Sequence, residues 1–151
     1  MPELTHLKRL SRLFFPRVIV RRRVRRRKNT VVITKRYQSY KEEARALVHA
    51  RLTALNAHYG FTYHRVTIRA QRSRWGSCSK KGNLNFNYAI LFLPPDLCDA
   101  VIVHELCHLK EFNHGKAFWD LVAETIPDYL ERKKKLANIH PDKMVPAYIS
   151  I

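Results

Sequence analysis

The chain has 151 residues, 46% of them hydrophobic, which suits one domain with a buried core and argues against disorder throughout. Lys and Arg number 29 against 12 Asp and Glu, a formal net charge of +17 that favours polyanionic partners such as nucleic acid, acidic protein or an anionic membrane surface. No apolar run approaches the roughly eighteen residues of a membrane span; the longest is Tyr88 to Leu93.

The charge is concentrated at the front. Residues 1–36 hold 13 Lys/Arg and one acid, a net +12, whereas residues 37–151 hold 16 and 11, a net +5. This contrast divides the chain into a basic N-terminal extension over 1–36 and a folded domain over 37–151. The first fifteen residues lack a continuous apolar region, so no secretory signal is expected. Cys78, Cys98 and Cys107 are an odd number without a pairing pattern, which predicts free thiols in a reducing compartment, the cytoplasm.

Leu4, Leu7, Leu10, Leu13 and Phe14 recur at helical spacing, predicting a short amphipathic helix over 3–14 closed by Pro16. Val18, Val20 and Val24 then alternate among arginines. With Lys28-Asn29-Thr30 as a turn and Val31-Val32-Ile33 as a return strand, this predicts a basic hairpin. Ser39-Tyr40-Lys41-Glu42 has the form of a capping box and opens a helix to about His58. Its inner side carries Ala44, Leu47, Val48, Arg51 and Leu55, and Gly60 stops it.

From Phe61 the texture changes to strand. Tyr63 to Ala70 alternates, with Val66 and Ile68 on one face. After a turn at Lys80-Lys81-Gly82-Asn83, Leu84, Phe86 and Tyr88 alternate with Asn83, Asn85 and Asn87. These arms predict a hairpin with one apolar and one amide-rich face. The strand over Asn83–Asn87 is read as the edge that pairs an extended substrate, with Asn85 and Asn87 as contacts. Between the arms lies Arg72-Ser73-Arg74-Trp75-Gly76-Ser77-Cys78. Here Trp75 is read as a core anchor, and Arg72 and Arg74 as candidate substrate-binding residues.

Pro94-Pro95-Asp96 breaks the chain and caps a new helix. Leu97, Val101, His104 and His108 follow one stripe of it while Ile102 and Leu106 point elsewhere, the pattern of a buried central helix. Further helices are predicted over Lys116–Thr125 and Tyr129 to about Ala137, followed by an extended tail containing Pro141 and Pro146. The fold class is α+β, a small antiparallel sheet packed on that central helix, with further C-terminal helices.

The chemistry sits at His104-Glu105-Leu106-Cys107-His108. Two histidines four apart project from one helix face, because 3.6 residues make a turn. They offer two neutral imidazoles to a zinc ion, and the glutamate after the first is placed to act as general base on a metal-activated water. A catalytic zinc takes three protein ligands and leaves one position open. His114, beyond a turn at Asn113, is the expected third ligand, ahead of the carboxylates of Glu124, Asp128 and Glu131. Arg72, Arg74 and Tyr148 are candidates to stabilise an oxyanion. A noncatalytic zinc would close its fourth position, typically with cysteine, but Cys107 lies about 100° round the helix from His108.

The segment from Arg72 to Tyr129 resembles the YgjP-like (WLM-type) zinc metallopeptidases. It carries R-x-R-W-G-S-C, a hairpin with asparagines, a proline before the helix, V-x-H-E-L-x-H-L and N-H-x-x-x-F-W, all in order. The resemblance implies a zincin-like α+β fold, zinc held by His104, His108 and His114, and Glu105 as catalytic acid/base. That family is also similar to SprT-like proteases, which act on proteins attached to DNA. The expected function is therefore a zinc-dependent peptidase acting on protein or peptide substrates. The competing reading is a basic nucleic-acid-binding module with a structural or incidental zinc.

Overall fold

The computed structural model describes residues 16–144, with side chains from residue 35 onward. Backbone contacts divide the chain between Lys35 and Arg36. The expected helix over 3–14 and the tail from residue 145, including Tyr148, lie outside the described residues.

The first element, α1, is a helix over Pro16–Tyr59. It replaces the expected basic hairpin over 17–33. Three valines alternating over seven positions are a weak strand signal, and the arginines between them are among the better helix formers. Ser39 to Glu42 therefore lies inside a helix and does not open one. From residue 36 on, α1 buries Ala44 and Val48 fully and Leu47, Arg51 and Leu55 in part, as expected, and the centre of the inner face is completed by fully buried Leu52, which was not among the expected residues. Arg51 stands on the same side because it meets a partner there. Its Nε donates to Asp99 Oδ1 at 2.7 Å and its Nη2 donates to Asp99 Oδ2, which ties α1 to the helix that carries Asp99. Gly60 ends α1 at φ 63°, a left-handed conformation that suits a residue without Cβ.

Three short strands follow: β1 over Arg65–Arg69, β2 over Gly76–Cys78 and β3 over Asn83–Asn87. The sheet order is β1-β3-β2. β2 and β3 pair antiparallel through a turn at Gly82 (φ 72°), whereas β1 and β3 run parallel. The sheet is thus mixed, not antiparallel. The hairpin partner of β3 is the Trp-Gly-Ser-Cys segment, not the 63–70 arm. Alternation fixes which side chains face the core, and Ile68, Leu84 and Phe86 are buried as expected. It does not say which strand lies next to which.

β3 continues into a 3₁₀ turn, Tyr88–Phe92, and then into α2, Pro95–Cys107. Pro95 occupies the first helical turn, where its missing N–H costs nothing, and Asp96 complements the positive end of the helix. The two faces of α2 serve two cores. Leu97, Cys98, Val101, Ile102 and Leu106 join the sheet and α1. Ala100, Val103 and Cys107 pack with Phe118, Val122 and Tyr129 from α3 (Lys116–Ala123) and α4 (Tyr129–Ala137). A last short helix, α5, covers Pro141–Met144, where an extended tail was expected. No described helix is long and apolar enough to cross a membrane.

All three cysteines are free, Cys98 and Cys107 buried and Cys78 half-buried. Burial pushes each thiol up, Cys98 to about 12 and Cys107 to about 11, and Cys78 to about 11 with the negative charge of Glu105 adding to the effect. Only the thiolate is a strong nucleophile. Cys78 is therefore expected to react with iodoacetamide about 100-fold more slowly than a free thiol near neutral pH, a gap that narrows as pH rises through 11. Timed alkylation read by mass spectrometry measures this; a rate matching free cysteine would contradict the packing around β2.

Candidate active site

His104 lies in the last turn of α2, and His108 is the residue that ends it, its backbone N–H reaching His104 O at 3.3 Å. The helix proper therefore stops well before the turn expected at Asn113. Residues 108–110 tighten into a turn whose N–H groups bond Leu106 and Cys107 carbonyls, and Glu111 N closes it on Cys107 O at 2.9 Å. The chain then doubles back and brings His114 to the other two rings. His114 Nε2 is 3.2 Å from His104 Nε2, and His108 Nε2 is 3.1 Å from the same atom.

An aromatic wall from α3 holds the triad in place. Phe118 is fully buried, and its ring centre lies 5.0, 4.6 and 4.8 Å from those of His104, His108 and His114. Trp119 stacks on His114 at 5.6 Å, and its indole N–H donates to the His114 carbonyl at 2.9 Å. Two outer partners orient the rings further: the Glu111 carbonyl, 3.0 Å from His108 Nδ1, and the Tyr129 hydroxyl, 2.8 Å from His104 Nδ1.

This donor set fits a small divalent cation. Ligands about 2.0–2.1 Å from a tetrahedral zinc stand about 3.3 Å from each other, close to the separations found here. The electrostatics agree, because a metal ligand must be a neutral imidazole. Burial lowers the pKa of His104 to about 3, and His108, His114 and Lys133 push it the same way. Burial, His108 and Lys133 lower that of His114. Among the described residues, His104, His108 and His114 form a cluster placed to hold a metal ion, with no fourth His, Cys, Asp or Glu in it. None of the alternative carboxylates joins this cluster: Glu124 meets His58 at 2.9 Å, Asp128 meets Arg132 at 2.9 Å and Glu131 is exposed.

Glu105 is only 6% exposed. Burial pushes its carboxyl up to about 8, while the positive charge of Arg74 pulls the other way. Its side chain lies against β2 so closely that a Cβ on Gly76 would stand 2.7 Å from both Cγ and Oε1 of Glu105. Gly76, Glu105, His104 and Tyr129 line one cavity of about 380 Å³, walled on its apolar side by Trp75 and Leu136.

Residues 4–139 match the model of the family described as YgjP-like, metallopeptidase domain. The chain belongs to that family. The YgjP-like chain is also similar in structure to the metallopeptidase zymogen abylysin of Pyrococcus abyssi. The two share 25% identity with a TM-score of 0.54, over 59% of this chain and 90% of abylysin. The metallopeptidase zymogen jannalysin of Methanocaldococcus jannaschii shares 23% identity with a TM-score of 0.49, over 62% of this chain and 93% of jannalysin. Comparison with curated proteins gives no match. The family and the fold make the chain a zincin-like metallopeptidase, with a sheet and a helical layer on either side of α2.

The other expected site residues divide. Arg74 is exposed and close enough to act on Glu105, and Arg72 is exposed. Asn85 is half-buried and donates to Ser77 Oγ at 3.3 Å. Asn87 is fully buried and does not face a substrate. Its Nδ2 donates to the Gln71 and Arg74 carbonyls at 2.6 and 2.9 Å, and its Oδ1 accepts from Ala89 N at 3.1 Å. It clamps the segment that leads into Gly76. Nor is β3 an edge, because β1 and β2 flank it. Gly76 and Tyr129 were not singled out from the sequence. Gly76 stood inside the R-W-G-S-C motif, but its contact with Glu105 joins residues far apart in the chain.

Proposed function

We propose that this metallopeptidase is a zinc-dependent peptidase in which His104, His108 and His114 hold the cation and Glu105 is the general base. The observation that carries the reading is the convergence of three Nε2 atoms, one of them on His104, which lines the same cavity as the buried Glu105. When bound, zinc supplies Lewis acidity, lowering the pKa of a water to near 7 and polarising the scissile carbonyl. Glu105 takes a proton from the attacking water and delivers it to the leaving amine. The absence of a fourth protein ligand among the described residues favours an open catalytic position over a closed structural one.

The substrate edge is β2. Asn87 N bonds Trp75 O, and Ser79 N bonds Asn83 O, so odd-numbered residues of this strand pair with β3. The backbone groups of Gly76 and Cys78 consequently turn outward. An extended peptide pairing there lies along the cavity that holds Glu105, and the cavity receives one of its side chains. Exposed Arg74 is positioned beside the carboxylate to stabilise charge developing on the substrate.

Dialysis against a chelator is expected to abolish hydrolysis of an unstructured protein such as casein, and one equivalent of zinc to restore it. Hydrolysis unaffected by metal removal would sink the proposal. Salt-sensitive nucleic-acid binding without any metal-dependent hydrolysis would favour the binding-module reading instead.

A further inference from the structure

In sequence the run Lys133-Lys134-Lys135 reads as a solvated face of α4. The helical period separates its members. Tyr129, Lys133, Leu136 and Ala137 follow one another at i, i+4, i+7 and i+8, and all four line the cavity that holds Glu105. Lys134 and Lys135 lie about 100° and 200° further round the helix, and neither belongs to that wall. Arg132 locks this rotation of α4. Its Nε donates to Asp128 Oδ2 at 2.9 Å, and its Nη1 donates to the Asp96 carbonyl at the start of α2, also at 2.9 Å.

Lys133 is held by an aromatic ring and not by an acid. Its Nζ lies 4.9 Å from the centre of the Trp119 ring, which itself stacks on His114, so the ammonium stands one ring away from the triad. None of the ion pairs among the described residues involves it. Among the described residues that line the cavity, Lys133 is the one Lys or Arg and Glu105 the one acid. The two occupy different walls: Glu105 sits against β2, Lys133 on α4.

We propose that Lys133 is a specificity residue that draws a substrate carboxylate, borne by an acidic side chain or by the chain end, into this cavity. The inference rests on the peptidase reading above. An ammonium without an acidic partner at the edge of an apolar cavity offers its charge to an incoming anion, and in a peptide the anions are carboxylates. Lysine suits the task because it acts as a point charge on a flexible stem and accepts either source of carboxylate without a fixed fork geometry. Half-buried Trp75 and Leu136 supply the apolar surface for the carbon stem that carries the carboxylate. Lys133 is itself exposed, so the contact is partly solvated and its effect is a preference, not an absolute requirement.

The test uses the zinc-loaded full chain and two sets of unstructured peptides. In one set Glu replaces Gln at each position in turn around the cleaved bond; in the other the same peptide ends in a free carboxylate or an amide. Wild type is expected to show a kcat/KM about 10-fold higher for the carboxylate member of one pair, and the set containing that pair identifies the source. The advantage shrinks as salt is added. Lys133→Met keeps the stem without the charge and is expected to abolish the advantage. Lys133→Arg should keep most of it, Lys133→Glu should invert it, and Lys134→Met should leave it as in wild type. Each ratio is taken within one protein, so a general loss of stability does not move it. Equal rates within every pair in an active wild type, or a preference that survives in Lys133→Met, overturns the role of Lys133 alone. Wild type that cleaves no peptide overturns the peptidase reading and this inference together.

Discussion

Glu105→Gln is expected to bind zinc as the parent does and to hydrolyse peptides about 10²–10⁴-fold more slowly. Glutamine keeps the shape of the side chain against Gly76, yet it has no carboxylate to take a proton from water. The three ring nitrogens that would hold the cation are untouched, so metal content and activity part company. The variant also reports on burial in the metal-free protein. Burial raises the Glu105 pKa from 4.5 to about 8, so its favourable contribution is present below 4.5 and fades as pH rises through about 8. Glutamine has no such dependence. Metal-free parent and variant should therefore melt at similar temperatures near about pH 5, with the variant more stable near about pH 9. Calorimetry with a peptide-cleavage assay measures both. A variant that retains parental cleavage rates removes Glu105 from the chemistry.

What the sequence discloses and what it withholds follow one physical line. His104 and His108 share a helix face because of a fixed local period, and His114 lies only six residues further on, within reach of a single turn. Such relations depend on short-range geometry and can be counted off the chain. The buried inner face of α1 and the stop at Gly60 are of the same kind. The parallel pairing of β1 with β3 is different, because alternation reports faces and not neighbours. The amides of β3 show the same limit. Asn85 and Asn87 look alike as a period-two pattern, yet Asn87 is enclosed by the Gln71–Arg74 segment while Asn85 meets Ser77. The basic stretch after Pro16 erred for another reason: a brief alternation of valines outweighed the helical preference of the arginines around them. Tyr129 and Gly76 belong with the long-range contacts. Each acts on the triad helix from another part of the fold, and nothing in their local sequence announces a partner on α2.

Gly76→Ala is the sharpest test of that long-range contact, with an expected loss of about 10²-fold in peptide hydrolysis. Gly76 has no positive φ, so its backbone does not demand glycine. The demand comes from Glu105, whose Cγ, Oε1 and Cδ would lie 2.7, 2.7 and 2.9 Å from an added Cβ. Those distances are well inside van der Waals contact, so one party must shift. β2 is pinned to β3 through the Trp75 carbonyl, and the segment before it is clamped by the Asn87 amide. Glu105 is fixed to a helix buried on both faces. The side chain of Glu105 must therefore swing, moving the base by roughly an ångström from where it meets the attacking water, the displacement that costs such a factor. Overpacking should also lower stability by about 1–3 kcal/mol. Zinc affinity should hold, because the three atoms nearest an added Cβ all belong to Glu105 and none to the rings. In a Glu105→Gln background the alanine should add little further loss of rate, since no base remains to be displaced. Full activity in the single variant, or a loss of rate that simply multiplies with that of Glu105→Gln, would show that Gly76 does not act through the glutamate.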